Sequence, residues 1–169
     1  SNMSKDIDEM ENMLNDYLQF AKTQVKETTV SVNLSIIFEN IKNKLNNDKL
    51  DIQINEEINL FGRKQSLERC FSNIINNGLV YGKKVEVNVS KSTNRAIILI
   101  DDDGPGIPPE HYRNVFKPFF RLDRSRSLNK SGVGLGLAIV EDIVHSHGGN
   151  IQLSRGKLDG LQVKVSLPF

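Results

Sequence analysis

Tryptophan is absent, cysteine occurs once, and aromatic residues make up 7% of the 169-residue sequence. A single cysteine excludes a disulfide framework and a thiolate metal cage, since both need several sulfurs. Cys70, set in a helical stretch, reads as a small buried hydrophobe. Long apolar runs are missing too: the longest, Ala96 to Ile100, is far short of the roughly 20 residues that cross a bilayer. No charged-then-apolar export signal opens the chain. Nor does one charge dominate. The 22 Lys and Arg against 21 Asp and Glu leave a net +1, which argues against nucleic-acid binding through bulk basic charge. What is present, 38% hydrophobic and 25% charged residues over this length, is the composition of one soluble, folded domain. The expectation is a cytoplasmic fragment. Residues 1–3 read as a tag remnant, which makes the chain a piece of a longer protein.

Asp6 to Lys22 places Ile7, Met10, Leu14, Tyr17 and Ala21 at alternating three-four spacing, with Ile7, Leu14 and Ala21 seven apart. That predicts a helix, either with a coiled-coil seam or amphipathic and packed on its own domain. Thr28 to Leu34 alternates as a short strand, and Ser35 is expected to cap a helix reaching about Asn46. Leu50 to Ile54 and Ile58 to Leu60 alternate again, and a long helix is expected from Lys64 to Tyr81. Strands at Lys84 to Ser90 and Arg95 to Asp101 follow. From Asp101 to Gly136 the chain is rich in Gly, Pro and charge, with one short helix near Pro109 to Val115, and so long an irregular stretch is usually functional. A helix from Gly134 to about His147, stopped by Gly148-Gly149, and strands at Ile151 to Arg155 and Leu161 to Leu167 complete the chain. This order predicts an α+β fold, a two-layer sandwich of a mixed, mostly antiparallel sheet with helices on one face, preceded by a helical tail.

Three segments carry candidate chemistry. Asn73 and Asn77, four apart, share one helix face, and an amide oxygen is a hard ligand suited to Mg²⁺ beside phosphate oxygens. The same pair also fits a solvated face in an Asn-rich chain. Ile97 to Ile107 reads IILIDDDGPGI, a strand that ends in carboxylates and breaks into a Gly-Pro-Gly turn. A carboxylate at Asp102 can accept from the exocyclic amine of adenine and repel the guanine carbonyl, and Gly104 and Gly106 admit backbone close to a flat base. An ordinary Asp-Gly turn is the alternative, and a calcium loop fails on spacing. Ser131 to Leu137 reads SGVGLGL and opens a helix, where backbone amides and the helix dipole favour phosphate. Arg121, Arg124, Arg126 and Lys130 lie just upstream, as phosphate contacts or as a solvated run. No Gly-Lys-Ser/Thr follows, so this is not a Walker loop.

In order and spacing these segments resemble the catalytic ATP-binding domain of a sensor histidine kinase, in the superfamily shared with Hsp90, gyrase B and MutL. The resemblance spans about Thr28 to Phe169 and rests on four motifs: an Asn box (Asn73 to Gly82, NIINNGLVYG), a first Gly box (DDDGPGI), a Phe box (Phe116 to Phe119, FKPF) and a second Gly box (Gly132 to Val140, GVGLGLAIV). Within the family the chain is most similar to the osmosensor type.

The resemblance implies a division into residues 4–26, the end of a dimerisation helix, and residues 27–169, the catalytic domain. It implies ATP as substrate and Mg²⁺ as cofactor. Asn77 would hold Mg²⁺, Asn73 would assist near the phosphates, Tyr81 would lie near the nucleotide and Asp102 would select adenine. Gly104, Gly106 and Ile107 would shape the base pocket, Phe116 and Phe119 would anchor a lid carrying Arg121, Arg124 and Arg126, and Gly132, Val133, Gly134, Leu135, Gly136 and Leu137 would wrap the phosphates. ATP-hydrolysing relatives carry Glu where this chain has Asn73, which favours transfer over hydrolysis. Two departures stand out: Val80 replaces a cation, and Val133 replaces Thr or Ser. None of His111, His145 or His147 has the sequence context of the family's phosphoacceptor. The implied partners are the protein's own dimerisation and phosphoacceptor domain within a homodimer, and the receiver domain of a response regulator. The whole protein is expected in the inner membrane. A degenerate nucleotide-binding or scaffold module is the alternative.

Overall fold

The computed structural model describes residues 2–118, 120 and 136–169. Helix α1 (Asn2–Lys26) leads to strand β1 (Val30–Asn33), helix α2 (Leu34–Leu45) and strands β2 (Leu50–Ile54) and β3 (Asn59–Gly62). Helix α3 (Lys64–Tyr81) precedes β4 (Val85–Lys91) and β5 (Arg95–Asp102). Two short 3-10 turns (Pro109–His111, Asn114–Phe116), helix α4 (Gly136–Ser146) and strands β6 (Asn150–Arg155) and β7 (Leu161–Pro168) follow. Strands β1 and β3 form a small antiparallel ribbon, and the main sheet has the order β2-β4-β5-β7-β6. Among the described residues only β2 and β4 pair in parallel. No helix among the described residues is long and apolar enough to cross a membrane.

The two-residue period of the strands builds the layers. Val85, Val87 and Val89, then Ala96, Ile98 and Ile100, then Val163, Val165 and Leu167 are buried beneath Leu67, Cys70, Phe71, Ile74 and Ile75 of α3 and Ile139, Val140, Ile143 and Val144 of α4. The alternate residues, such as Asn88 and Lys164, leave the other face of the sheet mostly polar, with Ile97 and Leu99 of β5 half-buried on it. Phe38 of α2 stacks on Phe71 with ring centres 4.8 Å apart, which joins α2 to the same core. Cys70 is fully buried, and burial pushes its thiol up, so it stays a protonated apolar filler.

Local chemistry shifts several expected boundaries. The cap of α2 is Asn33, not Ser35: its Oδ1 accepts from the Ser35 amide at 2.8 Å and the Ile36 amide at 3.4 Å. The helix therefore starts two residues earlier than a Ser35 cap would place it, and the preceding strand is confined to Val30–Asn33. The expected helix at Pro109 to Val115 is instead two 3-10 turns, Pro109–His111 and Asn114–Phe116. Gly148 takes φ +73° after α4, the left-handed stop that its glycine permits. Ile7, Met10 and Leu14 of α1 are more than half exposed, whereas Tyr17 packs against the core.

Candidate functional site

Asn73 and Asn77 lie half-buried on the C-terminal half of α3, and neither side chain makes a hydrogen bond among the described residues. The next residue, Gly78, fixes their distance from β5. A Cβ built there would stand 2.7 Å from Val85 Cγ2 and 3.2 Å from Asp102 Cβ, so the helix lies directly against the strand end. One turn on, the Tyr81 carbonyl oxygen would be 3.0 Å from a Cβ on Gly104. The glycines of the two boxes are thus what allow α3 and the loop after β5 to meet.

Three consecutive aspartates divide the work at that junction. Asp101 points to the polar side of the sheet, where the Gln162 amide donates to its two oxygens at 3.1 and 3.3 Å. Asp103 Oδ1 accepts from the Lys83 amide at 2.6 Å and the Lys84 amide at 2.9 Å, which ties the turn after α3 to the Gly loop. Those amides hold its carboxyl below the usual range.

Asp102, between them, faces the helix side. Its Oδ1 accepts from the Gly104 amide at 2.9 Å and the Leu161 amide at 3.3 Å, while Oδ2 has no hydrogen-bond partner among the described residues. Burial pushes this carboxyl above the usual range, and the two amides pull against that shift. The result is a partly desolvated acceptor with one oxygen pinned and the other open. Gly106, at φ +73°, turns the loop beneath Gly160, and Ile107 packs on the core.

On the other side Phe116 packs on the core beside buried Val115, and Gly136 and Leu137 open α4, which packs on α3. Phe119, Arg121, Arg124, Arg126, Gly132, Val133, Gly134 and Leu135 lie outside the described residues. Of the described candidates, Tyr81, Asp102 and Gly104 meet where α3 reaches the end of β5, with Asn77 beside Gly78 at the same contact, Asn73 one turn earlier on the helix, and Gly106 against Gly160. Sequence reasoning missed Asp101, Asp103, Gly160 and Leu161. The alternation along β5 already puts Asp101 on the side opposite Asp102, but nothing local announces Gly160 and Leu161, which arrive at the start of β7 about sixty residues later.

As a test of Mg²⁺, the donor set is suggestive. Among the described residues there is no group of three or more His, Cys, Asp or Glu able to hold a metal. A half-buried amide oxygen with no partner among the described residues, as at Asn77, suits an ion that keeps most of its ligands as water and phosphate oxygens.

Residues 62–169 match the family model described as histidine kinase-, DNA gyrase B- and HSP90-like ATPase. The chain belongs to this family. It is 32% identical over 166 residues to the sensor histidine kinase GtrS of Pseudomonas aeruginosa, covering 97% of this chain and 34% of that protein. It is 32% identical over 170 residues to the sensor histidine kinase CpxA of Escherichia coli K12, covering 95% of this chain and 37% of that protein. Among solved structures, the histidine kinase domain of the E. coli osmosensor EnvZ aligns with TM-score 0.65 and 30% identity, covering 85% of this chain and 91% of that one. The chain thus spans about a third of the length of the curated relatives it matches. These matches agree with the histidine-kinase resemblance read from the four motifs, and with the expected two-layer α+β sandwich.

Proposed function

We propose that the chain is the ATP-binding catalytic domain of a two-component sensor histidine kinase. The observation that supports this most is Asp102, a half-buried carboxylate with one oxygen pinned by two backbone amides and the other open toward the site beside α3. The open oxygen accepts the exocyclic amine of adenine and repels the carbonyl that guanine carries there. Gly104 and Gly106 let the loop lie flat against the base. Asn77 would hold a Mg²⁺ ion, which would supply charge neutralisation at the phosphates, and Asn73 would lie beside them. To Arg121, Arg124 and Arg126 and to the backbone amides of Gly132 to Leu137 we assign the phosphate contacts, and to Phe116 and Phe119 the anchoring of the segment that carries the arginines, on their order in the sequence.

In the reaction, an imidazole nitrogen on an upstream dimerisation helix attacks the γ-phosphorus, the bond from that phosphorus to the β–γ bridging oxygen breaks, and ADP leaves. Asn73 stands where a carboxylate would activate water, so the site favours transfer to the imidazole over hydrolysis. His111, His145 and His147 lack the acceptor context, so residues 27–169 donate to a histidine outside this chain. Residues 4–26 then end the dimerisation helix of a homodimer, and a response regulator receives the phosphoryl group. The domain works in the cytoplasm, on a protein held in the inner membrane.

The test is calorimetric titration with ADP and a non-hydrolysable ATP analogue, with and without Mg²⁺, on the wild-type chain and on Asn77→Ala and Asp102→Ala, with GTP as control. Mg²⁺-dependent, adenine-selective binding that both variants lose is expected. No binding by the folded wild-type chain overturns the proposal, and a stable radiolabel on the chain itself overturns the missing-acceptor part of it.

A further inference from the structure

The first turn of α3 has no cap of its own. Arg63 occupies the cap position and offers no side-chain acceptor, so the leading amides of the helix need another partner. They find it 38 residues upstream: Glu27 Oε2 accepts from the Gln65 amide at 2.6 Å. Glu27 Oε1 accepts from the Ser66 amide at 3.0 Å and from the Ser66 hydroxyl at 2.8 Å. Ser66 is buried, so both of its donors depend on that carboxylate, which also meets the positive end of the α3 dipole.

Two neighbours make this contact more than a helix cap. Glu27 directly follows Lys26, the last residue of α1, and only Thr28 and Thr29 separate it from β1. Strand β1 in turn pairs with β3, whose last residue, Gly62, leads into Arg63. The exit of α1 is therefore fastened at two adjacent points of one junction. The last turn of α4 is fastened there as well: His147 Nε2 accepts from the Arg63 amide at 3.0 Å, and the Arg63 guanidinium donates to Ser146 Oγ. One carboxylate thus couples the upstream helix to the pair α3–α4, and α3 is the helix that carries Asn73 and Asn77.

We infer that Glu27 is a positioning residue, whose carboxylate holds the upstream helix in one orientation to the nucleotide-binding helix α3. This rests on the kinase reading for its purpose: a phosphoryl donor domain must present ATP to an acceptor borne by the upstream helix, and a loose joint lowers the fraction of time in which the two are in line. Glu27 does not touch nucleotide. Its loss is expected to leave nucleotide binding alone and to loosen the joint.

Pulsed dipolar spectroscopy on this chain reads the joint directly. Nitroxides are placed at the exposed positions Asn15→Cys in α1 and Gln152→Cys in β6, with labelled chain diluted into unlabelled; the buried Cys70 stays unlabelled. Glu27→Ala is expected to broaden the wild-type distance distribution at least twofold while the dissociation constant for the Mg²⁺-bound ATP analogue stays within twofold. Glu27→Gln, which keeps an acceptor oxygen for Ser66 but turns an NH₂ group toward the Gln65 amide, is expected to fall between. An unchanged distribution in Glu27→Ala overturns the inference, as does broadening matched by an equal loss of nucleotide affinity, which would make Glu27 only a support for α3. Failure of the wild-type chain to bind nucleotide overturns the kinase reading instead, and leaves the distance comparison to decide the role of Glu27.

Discussion

Gly160 lies so close beneath Asp102 that a Cβ built on it would stand 2.2 Å from the Asp102 carbonyl oxygen and 2.6 Å from Oδ1. The neighbour is backbone at the end of a central strand, which cannot rotate away. Gly160→Ala is therefore expected to separate the β7 start from the Gly loop and to break the Leu161 bond to Asp102. Overpacking of this kind costs about 1–3 kcal/mol. Urea unfolding is expected to show that loss, and calorimetry a nucleotide affinity reduced together with it.

Asp102 also sets a pH dependence. Its folded pKa is raised, chiefly by burial, so it binds a proton at a pH where an unfolded aspartate has lost it. Ionising it opposes folding: its contribution to stability is complete below the unfolded pKa and is lost as pH rises through the folded one. Adenine binding runs the other way, since the open oxygen must be a carboxylate to accept the amine without competing as a donor. Affinity for an ATP analogue is expected to fall on acidification while the pH is still above the ordinary carboxylate range. In Asp102→Asn, calorimetry over the same range is expected to show weaker binding, by about tenfold or more, with that step absent.

The α3 helix, the strand ending at Asp102 and the glycines after it were legible because periodicity and turn chemistry are local. Val85 to Val89 alternates cleanly, the apolar run Ala96 to Ile100 reads as a buried strand, and Gly104 and Gly106 announce a loop wherever they occur. The partners that pin Asp102 and Asp103 were not legible. Backbone amides of Leu161, Lys83 and Lys84 carry no residue-specific signal, since any residue but proline at those positions would present the same N–H. The Glu27 cap on α3 was hidden for a related reason: a helix is read for a cap beside it, and this one arrives from 38 residues away.

Asn33 illustrates how close two local readings can lie. Asn33 and Ser35 are both good N-caps, and the strand pairing of Asn33 with Asn59 decides for the earlier one. Asn33→Ala is expected to cost about 1 kcal/mol of stability, whereas Ser35→Ala is expected to cost only a few tenths. Chemical denaturation of the two variants side by side checks the assignment.

His147 gives the opposite sign of pH dependence to Asp102. The Ile143 carbonyl oxygen, 2.7 Å from Nδ1, can only accept, so Nδ1 carries the hydrogen and Nε2 is left to accept from the Arg63 amide. Only the neutral ring satisfies both contacts. Burial lowers its pKa, the Ile143 bond raises it, and the charges facing it oppose each other, Arg63 lowering and Glu27 raising. A base with a depressed folded pKa contributes stability that is present above its unfolded pKa and lost as pH falls through the folded one. Between about pH 7.5 and about pH 5 the wild-type chain is therefore expected to lose stability, as a histidine that must charge on unfolding drains the native state. His147→Gln is expected to be less stable by about 1–3 kcal/mol at the upper end, from the displaced acceptor, and nearly level with wild type at the lower end. Urea titrations across that range test the sign: a wild-type slope that persists in the variant assigns the pH dependence to other groups.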